Sequence, residues 1–536
     1  MSFTLRIDGT TVIVPEGISI FQAAQEVGAD IPTLCHMNGI EPYTSCMICL
    51  VENRQTGELL PSCSTPAEEG QDLSTTGSKV QEARKAAIEL LLSEHVGDCE
   101  APCRRACPAF MHIPHMIRQL VDRKIDKALH TVREHIPFPS IIGRICPAPC
   151  EKVCRRGDID RPVAICLLKR YTGDQGRSAD SGPAIRRAAP SESNKEKQVI
   201  NPNPVSGRSV ALVGSGPAGL SAAYYLLEAG FICTIYDDHE HPGGMLRYGV
   251  EQERLPRQVL ESELESIGNM GAAFQMNTRL GSDVSLTELT ETHDAVVLAL
   301  GADTADANIG NITSGKIFSA GDMLRRRQSK LAVRAVAEGA RTARKVSSFL
   351  TGTPLRADKR FDSKIGKLEK SELSLLMSLG GTAARNQKYE DEKEGKRYEP
   401  GATAGFQMEE ATEEAERCLQ CDCIRQESCK LRSIATEYKA DRLRFKGLSR
   451  ARFDRLFHES GLSFESGKCI KCGLCVRIAD KAQERIGLTF SGRSYETKIK
   501  IPFGEPLHLA LEKTAKECVQ ACPTAALAWD KKRRSN

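Results

Sequence analysis

The sequence predicts a multidomain chain that mixes α/β with α+β architecture, and three observations carry that prediction. The chain has 536 residues, enough for three or four domains at roughly 150 residues each. A short apolar strand at 209–213 runs into glycines and then a helix, the signature of an α/β unit. The 21 cysteines gather in three regions, before 167 and after 417, with Cys233 alone between them. Hydrophobic residues make up 40% and charged residues 27%, an ordinary globular balance. Net charge is +4, so no strong field for nucleic acid is implied. No apolar run approaches the length of a spanning helix. The start, MSFTLRIDGTTVIV, alternates apolar with polar and reads as a strand rather than a signal peptide. A cytoplasmic protein is therefore expected, and there so many thiols argue for metal or redox chemistry over disulfides.

The first cysteines, Cys35, Cys46, Cys49 and Cys63, are spaced C-x10-C-x2-C-x13-C. Strand alternation in TVIVPEG precedes them, followed by a short helix with apolar positions Ile20, Ala23, Ala24 and Val27. Four thiolates with one close pair suit a [2Fe–2S] cluster, and four also satisfy tetrahedral zinc. Residues 1–78 resemble the β-grasp, ferredoxin-type N-terminal domain of iron-only hydrogenases and of the large peripheral iron–sulfur subunit of complex I. That resemblance implies [2Fe–2S] on these four residues.

Residues 79–95 are rich in Ala, Leu, Glu and Lys and predict a helix with an apolar face through Val80, Ala83, Ala87, Leu90 and Leu91. The string IELLLSEHVGDC over 88–99 closely matches LELLLSxHxxDC of the hydrogenase family, which implies an iron ligand at His95. A histidine at a helix end is otherwise commonly a cap.

Beyond Cys99 the pattern changes. DCEAPCRRACPAF, RICPAPCEKVC and RPVAICLLKRY resemble the helical N-terminal domain of the glutamate synthase small subunit and of dihydropyrimidine dehydrogenase. That domain carries two [4Fe–4S] clusters with interleaved ligands. The resemblance and the count of seven cysteines plus His95 assign His95, Cys99, Cys103 and Cys154 to one cluster. Cys107, Cys146, Cys150 and Cys166 form the other, with a buried core thiol as the alternative for Cys166. The stretch IPHMIRQLVDRKIDKALHTVREH reads as helix, so a helical domain over 79–171 is expected.

Residues 172–206 read as a polar linker. SVALVGSGPAGLSAAYYLLEAGFICTIYDD then gives strand, Gly214-x-Gly216-x-x-Gly219, helix, strand and Asp237. This is the dinucleotide fingerprint in its required context. Gly214 permits the turn, Gly216 lets the backbone approach a pyrophosphate at the helix N-terminus, and Gly219 lets helix and strand pack closely. Asp237 is placed to accept from ribose hydroxyls. HPGGMLRYGV, DAVVLALGA and GKIFSAGD resemble the FAD domain of the glutamate synthase small-subunit family. The resemblance implies FAD, lined by Gly243, Gly244 and Met245, with Asp322 on the ribityl chain and the helix LAVRAVAEGARTA pointing at the ring. In that family a whole NAD(P)H domain lies between the last two motifs. Here 12 residues separate Ala302 from Gly315, too few for a βαβ unit. An FAD domain over 207–354 without that insertion is expected.

Residues 355–415 are charged and poor in large apolar residues and read as a connector. Cys418, Cys421, Cys423 and Cys429 follow as C-x2-C-x-C-x5-C within 416–440, suited to a fourth cluster or to zinc. KCIKCGLCVRIADKAQERIG and ECVQACPTAAL, within 441–530, resemble a two-cluster bacterial ferredoxin domain. Ala479, Glu512 and Ala515 replace three cysteines of its motifs. The resemblance implies one [4Fe–4S] on Cys469, Cys472, Cys475 and Cys522, with Cys518 spare and Cys233 a core thiol.

The tally is one [2Fe–2S], up to four [4Fe–4S] and one FAD. No nucleophile–base set, molybdopterin or hydrogen-cluster signature, or nicotinamide site is present in the sequence, so no independent substrate site is expected. The expected function is an electron-transfer subunit of a multisubunit cytoplasmic oxidoreductase. Its partner would be of formate dehydrogenase, hydrogenase or aldehyde oxidoreductase type, with ferredoxin a further candidate, and the two ferredoxin-like ends would face different partners. The rivals are an NAD(P)H-dependent oxidoreductase, a flavin-based bifurcating module and a zinc-stapled scaffold.

Overall fold

The computed structural model describes residues 2–180, 207–301, 315–321, 331–355, 360–378, 405–445, 447, 454–457 and 460–530. They form two compact units, each built from separate stretches of chain. The first takes Met1–Ala101, Ala357–Gly380 and Cys421–Asn536, and the second Pro102–Arg356 and Gly381–Gln420.

The first unit opens with strands β1 (Ser2–Ile7), β2 (Thr10–Pro15), β3 (Leu50–Asn53), β4 (Leu59–Pro61) and β5 (Asp72–Ser74). They form one sheet in the order β2-β1-β5-β3-β4. Asp8 and Gly9, both at positive φ, make the two-residue turn of the β1–β2 hairpin, the geometry such turns favour. β1 and β5 pair in parallel, and the other pairings are antiparallel. Ser19 and Gln22 form a capping box that starts helix Ile20–Glu26. The helix buries Ile20, Phe21, Ala23 and Ala24 against Leu5, Ile7, Val14 and Leu73.

The next helix, Ser78–Ser93, is where expected, and its buried face is rotated from the expected one: Val80 is buried and Ala87 and Leu91 pack against the core as expected, but Leu90 does not. It buries Val80, Arg84, Ile88, Glu89 and Leu92, and Leu90 is exposed. Polar anchors set its rotation. Arg84 donates from Nε and Nη2 to Leu50 O at 3.0 and 2.7 Å, and Glu89 accepts from Asp441 N and pairs with Arg444.

The second unit begins with short helices. The single helix expected over 113–135 is two, Ile113–Val121 and Ile125–Arg133, because Arg123 at positive φ turns the chain. Both helices thereby pack on one core. Helix Ile165–Asp180 runs on into the expected linker. It crosses helix Pro139–Ile145 closely. An added Cβ at Gly143 would stand 2.6 Å from Arg170 Cα, and one at Gly173 2.5 Å from Ser140 N.

Strands β6 (Ser209–Val213), β7 (Ile232–Tyr236), β8 (Ala273–Gln275), β9 (Ala295–Leu298) and β10 (Ile317–Ser319) form a parallel sheet in the order β10-β9-β6-β7-β8. Helices Pro217–Glu228 and Ala332–Thr351 pack together over it; Ser221 Oγ donates to Val336 O at 2.8 Å. β9 and β10 are direct parallel neighbours, and about a dozen residues is what such a crossover requires. Residues 302–314, inside that connection, lie outside the described residues.

The chain returns to the first unit with β11 (Leu456–Phe457), β12 (Leu462–Phe464), β13 (Thr489–Ser491), β14 (Lys498–Lys500) and β15 (Leu527–Trp529). β12 lies antiparallel between β11 and β15, and β13 pairs with β14. The N-terminal and C-terminal regions are not separate ends. Leu34, Cys35, Ile48, Ile88 and Leu92 share one core with Leu431, Phe464, Leu474, Ile478 and Leu527. Part of the expected connector folds there too. Phe361 N donates to Thr436 Oγ1 at 2.9 Å, Phe361 O accepts from Arg432 Nε at 2.8 Å, and Lys370–Ser378 is a helix. No helix among the described residues is long and apolar enough to cross a membrane.

Candidate iron–sulfur and dinucleotide sites

Cys35, Cys46, Cys49 and Cys63 are all buried. Thr44 and Met47, at positive φ, fold the loop that carries the middle two, and Ser62 ties the fourth in by donating from Oγ to Cys49 O at 2.7 Å. The thiols touch in pairs: Cys35 with Cys46 and with Cys63, and Cys49 with Cys63. Hydrogen bonds from Cys46 and Cys63 pull Cys35 far down. The bond from Cys63 holds Cys49 at about 7 against burial. The same bonds push Cys46 and Cys63 up, so within each pair one thiol gives up its proton before the other.

In the second unit Cys107, Cys146, Cys150 and Cys166 are buried, and Cys166 bonds to the thiols of Cys146 and Cys150. Glu151 Oε1 accepts from Cys166 N at 2.8 Å. One helical turn after Cys166, on the same face, Lys169 is 4% exposed and donates to Cys166 Sγ at 3.8 Å. Burial opposes its charge, but the four thiols outweigh burial and raise its pKa. Sequence reading passed over Lys169; its position one turn from a ligand was the available signal.

Cys103, Cys154 and Cys418 pack against the same core. Arg417 fixes Cys418 there. Fully buried, it pairs with Glu414 at 2.6 Å and Asp160 at 3.0 Å, and donates to Arg161 O at 2.7 Å. Arg156 donates in turn to Arg417 O at 3.2 Å.

Two expected ligand sets take residues from both units. His95 and Cys99 belong to the first unit, whereas Cys103 and Cys154 belong to the second. Likewise Cys418 is in the second unit, and Cys421, Cys423 and Cys429 are in the first. Cys99 lies beside Cys423, whose N donates to Cys99 O at 3.4 Å, and Ser363 N donates to Cys99 Sγ at 3.4 Å. Burial pushes Cys99 up to about 12 and Cys429 up to about 11, with Cys423 adding to both. Burial, with help from Lys468, lowers His95 to about 4.

Cys469, Cys472, Cys475 and Cys522 converge, each of the first three feeling the charge of Cys522. Cys518, which donates to Cys475 O at 3.7 Å, stands next to this set. Two neighbouring sets flank it. Arg477 Nη2 donates both to Cys35 O at 3.2 Å and to Cys472 O at 3.1 Å, so one guanidinium bridges the first set to this one. Cys429 feels Cys522 and donates to Pro523 O at 3.8 Å.

Among the described residues, three or more His, Cys, Asp or Glu ligand atoms come within 4.8 Å of one another at Asp237, Asp238 and His239. The donor sets, thiols with one histidine, suit iron–sulfur clusters, and four thiols also suit zinc.

In the dinucleotide site Gly216 caps helix Pro217–Glu228, with Pro217 as the first helical residue. Gly214, at φ 108°, makes the turn, and an added Cβ there would stand 2.4 Å from Ala299 O. Gly243 N donates to Ser215 O at 3.2 Å, and Gly244 approaches Gly216 so closely that a Cβ would stand 2.8 Å from Gly216 Cα. Met245 begins the following turn and is exposed. Asp237 is held within the loop. It accepts from Ser215 N and Ser215 Oγ, each at 2.6 Å, and from His239 N at 3.0 Å. Asp322 lies outside the described residues. The glycine cradle fits a dinucleotide pyrophosphate.

Comparison with known proteins agrees with this division of labour. Residues 1–78 match the 2Fe-2S iron-sulfur cluster binding domain family. Residues 78–181 match dihydropyrimidine dehydrogenase domain II, 4Fe-4S cluster. Residues 212–261 match an NAD(P)-binding Rossmann-like domain. The NADPH-Fe(3+) oxidoreductase subunit beta of Geobacter sulfurreducens is 40% identical over 204 residues, 38% of this chain and 28% of that one. The NADP(+)-dependent formate dehydrogenase subunit beta of Moorella thermoacetica is 38% identical over 213 residues, 38% and 29% of the two chains. The glutamate synthase [NADPH] small chain of Mycobacterium tuberculosis is 34% identical over 209 residues, 38% and 39% of the two. This chain thus spans only a quarter to two fifths of the length of these relatives. It carries [2Fe–2S]- and [4Fe–4S]-type domains and a nucleotide-binding Rossmann-like domain.

Proposed function

We propose that the chain is an electron-transferring iron–sulfur flavoprotein subunit of a multisubunit cytoplasmic oxidoreductase. It binds FAD at the glycine cradle and relays electrons between a catalytic partner of formate dehydrogenase, hydrogenase or aldehyde oxidoreductase type and another acceptor, with ferredoxin one candidate. Bound clusters pass single electrons, and a flavin exchanges electrons in pairs or singly. The observation that carries the reading is Arg477. By holding the carbonyls of Cys35 and Cys472 together, it keeps two ligand sets adjacent within one core. The protein's own contribution is to bury the ligands, hold the sets close and exclude water. Relatives named as subunits of formate dehydrogenase and Fe(3+) oxidoreductase support a role beside a partner.

A second reading, an NAD(P)H-dependent oxidoreductase, is favoured by the nucleotides in the relatives' names. Anaerobic titration with NADH and NADPH separates the two. We expect dithionite to bleach flavin and clusters and neither nucleotide to do so. Rapid bleaching by stoichiometric nucleotide would make the chain self-sufficient and overturn the relay.

Lys169 sets the potential of the centre on Cys107, Cys146, Cys150 and Cys166. A buried cation a few ångströms away stabilises the more negative, reduced state. Lys169→Met is expected to lower that midpoint potential by on the order of 100 mV. An EPR-monitored redox titration reads the shift, and an unchanged potential would exclude the role.

A further inference from the structure

We propose that His95, Cys99, Cys423 and Cys429 together hold one [4Fe–4S] cluster, a set that joins two stretches of chain more than 300 residues apart. The proposal rests on the iron–sulfur reading above and changes its ligand grouping. All four residues lie in the first unit. The backbones of Cys99 and Cys423 are hydrogen-bonded at 3.4 Å.

Lys468 ties the histidine to this pair. Its Nζ donates to Cys423 Sγ at 3.7 Å, and its stem runs over Gly97. An added Cβ at Gly97 would meet Lys468 Cε at 2.9 Å and His95 Nε2 at 3.3 Å. Val96 N donates to Gly467 O at 2.7 Å, which fixes that crossing. The His95 ring, the Lys468 ammonium and the Cys423 sulfur therefore share one neighbourhood. Cys429, six residues beyond Cys423 at the start of helix Lys430–Glu437, lies in the field of Cys423, and Arg432 Nη1 donates to Gln426 O at 3.1 Å and closes the intervening loop.

Two further observations point to a ligand. His95 Nδ1 is buried and has no hydrogen-bond partner among the described residues. Leaving such an atom unsatisfied costs about 1–3 kcal/mol, and a ring nitrogen without a hydrogen-bond partner is one a metal can take. Buried cations also stand ready beside two of the thiols. Lys468 serves Cys423, and Arg432, which pairs with Glu100 at 2.7 Å, lies in the field of Cys99. Anionic centres need such countercharge when buried. Lys468 itself is 3% exposed and paired with Glu465 at 2.8 Å, so it is fixed in place.

The test uses the full chain, reconstituted anaerobically, with iron and acid-labile sulfide counted and EPR recorded. Cys99→Ser and Cys423→Ser are each expected to remove about four irons and the same EPR signal. The double variant is expected to lose no more than either single. Additive losses, or loss of two different signals, would overturn the grouping. His95→Cys addresses the histidine without relying on loss of a centre. It is expected to keep the iron, to shift that signal's potential downward, and to abolish a strong ¹⁴N coupling in pulsed EPR. No such coupling in the wild-type protein, or its persistence in His95→Cys, would remove His95 from the set. A wild-type protein holding iron-free zinc and no sulfide would instead defeat the iron–sulfur reading itself, a separate outcome.

Discussion

Gly219→Val is expected to lower dinucleotide affinity at least tenfold, about 1.4 kcal/mol or more, while leaving cluster iron in place. Gly219 sits where helix Pro217–Glu228 crosses the turn after β6. A Cβ there would stand 1.9 Å from Gly214 O and 3.1 Å from Gly214 C. Both are backbone atoms, so no side chain can rotate out of the way. The helix must lift from the strand, which displaces the N-terminus that faces the pyrophosphate. Gly216→Ala is the matched control. Nothing lies within 4 Å of a Cβ at Gly216. The fold therefore accepts alanine, and any loss of flavin reports crowding of the ligand alone. Flavin content after gel filtration and a fluorescence titration with added FAD measure both. Stoichiometric flavin in Gly219→Val would sink the assignment of this loop as the cradle.

Arg417→Met is expected to destabilise the second unit by about 3–5 kcal/mol, the usual consequence of removing one partner from a buried charge network. The guanidinium is fully buried between Glu414 and Asp160. Glu414 is buried as well, and its Oε1 also accepts from Ala164 N at 2.7 Å. Methionine fills the space but leaves that carboxylate without its cation. For a unit of this size the melting temperature should fall by on the order of 10 °C. Because Arg417 precedes Cys418 directly, iron content should fall with it. Adding Glu414→Gln should recover part of the loss, since the stranded charge is then removed. Differential scanning calorimetry of the anaerobic protein decides the point. A change under about 1 kcal/mol would show that water or another group satisfies the network.

Two of the sites were legible because their chemistry is local. Gly214, Gly216 and Gly219 lie within two turns of chain, so their spacing alone dictates a turn followed by a helix N-terminus. Cys469, Cys472 and Cys475 likewise sit on one short loop, and the structure brings Cys522 to them. Helix Ser78–Ser93 was legible as a helix but not in its rotation. Alanine and leucine occur nearly all round it, and the decision fell to Arg84 and Glu89, which find buried partners. The break at Arg123 was hidden for a related reason: the apolar pattern continues across it in both short helices.

The sequence by itself determined which groups can bind metal, that a dinucleotide fold is present, and that no room exists between Ala302 and Gly315 for a second one. Only the tertiary structure decided which distant groups meet. It set Cys99 beside Cys423, locked Cys418 to the second unit through Arg417, and bridged Cys35 to Cys472 through Arg477. Sequence separation is a poor guide to such meetings. Closing a loop twice as long costs only about 0.6 kcal/mol more, less than a single good buried contact. Ligands hundreds of residues apart are therefore grouped by which loops the packed cores hold together, and packing is not written in the spacing of cysteines.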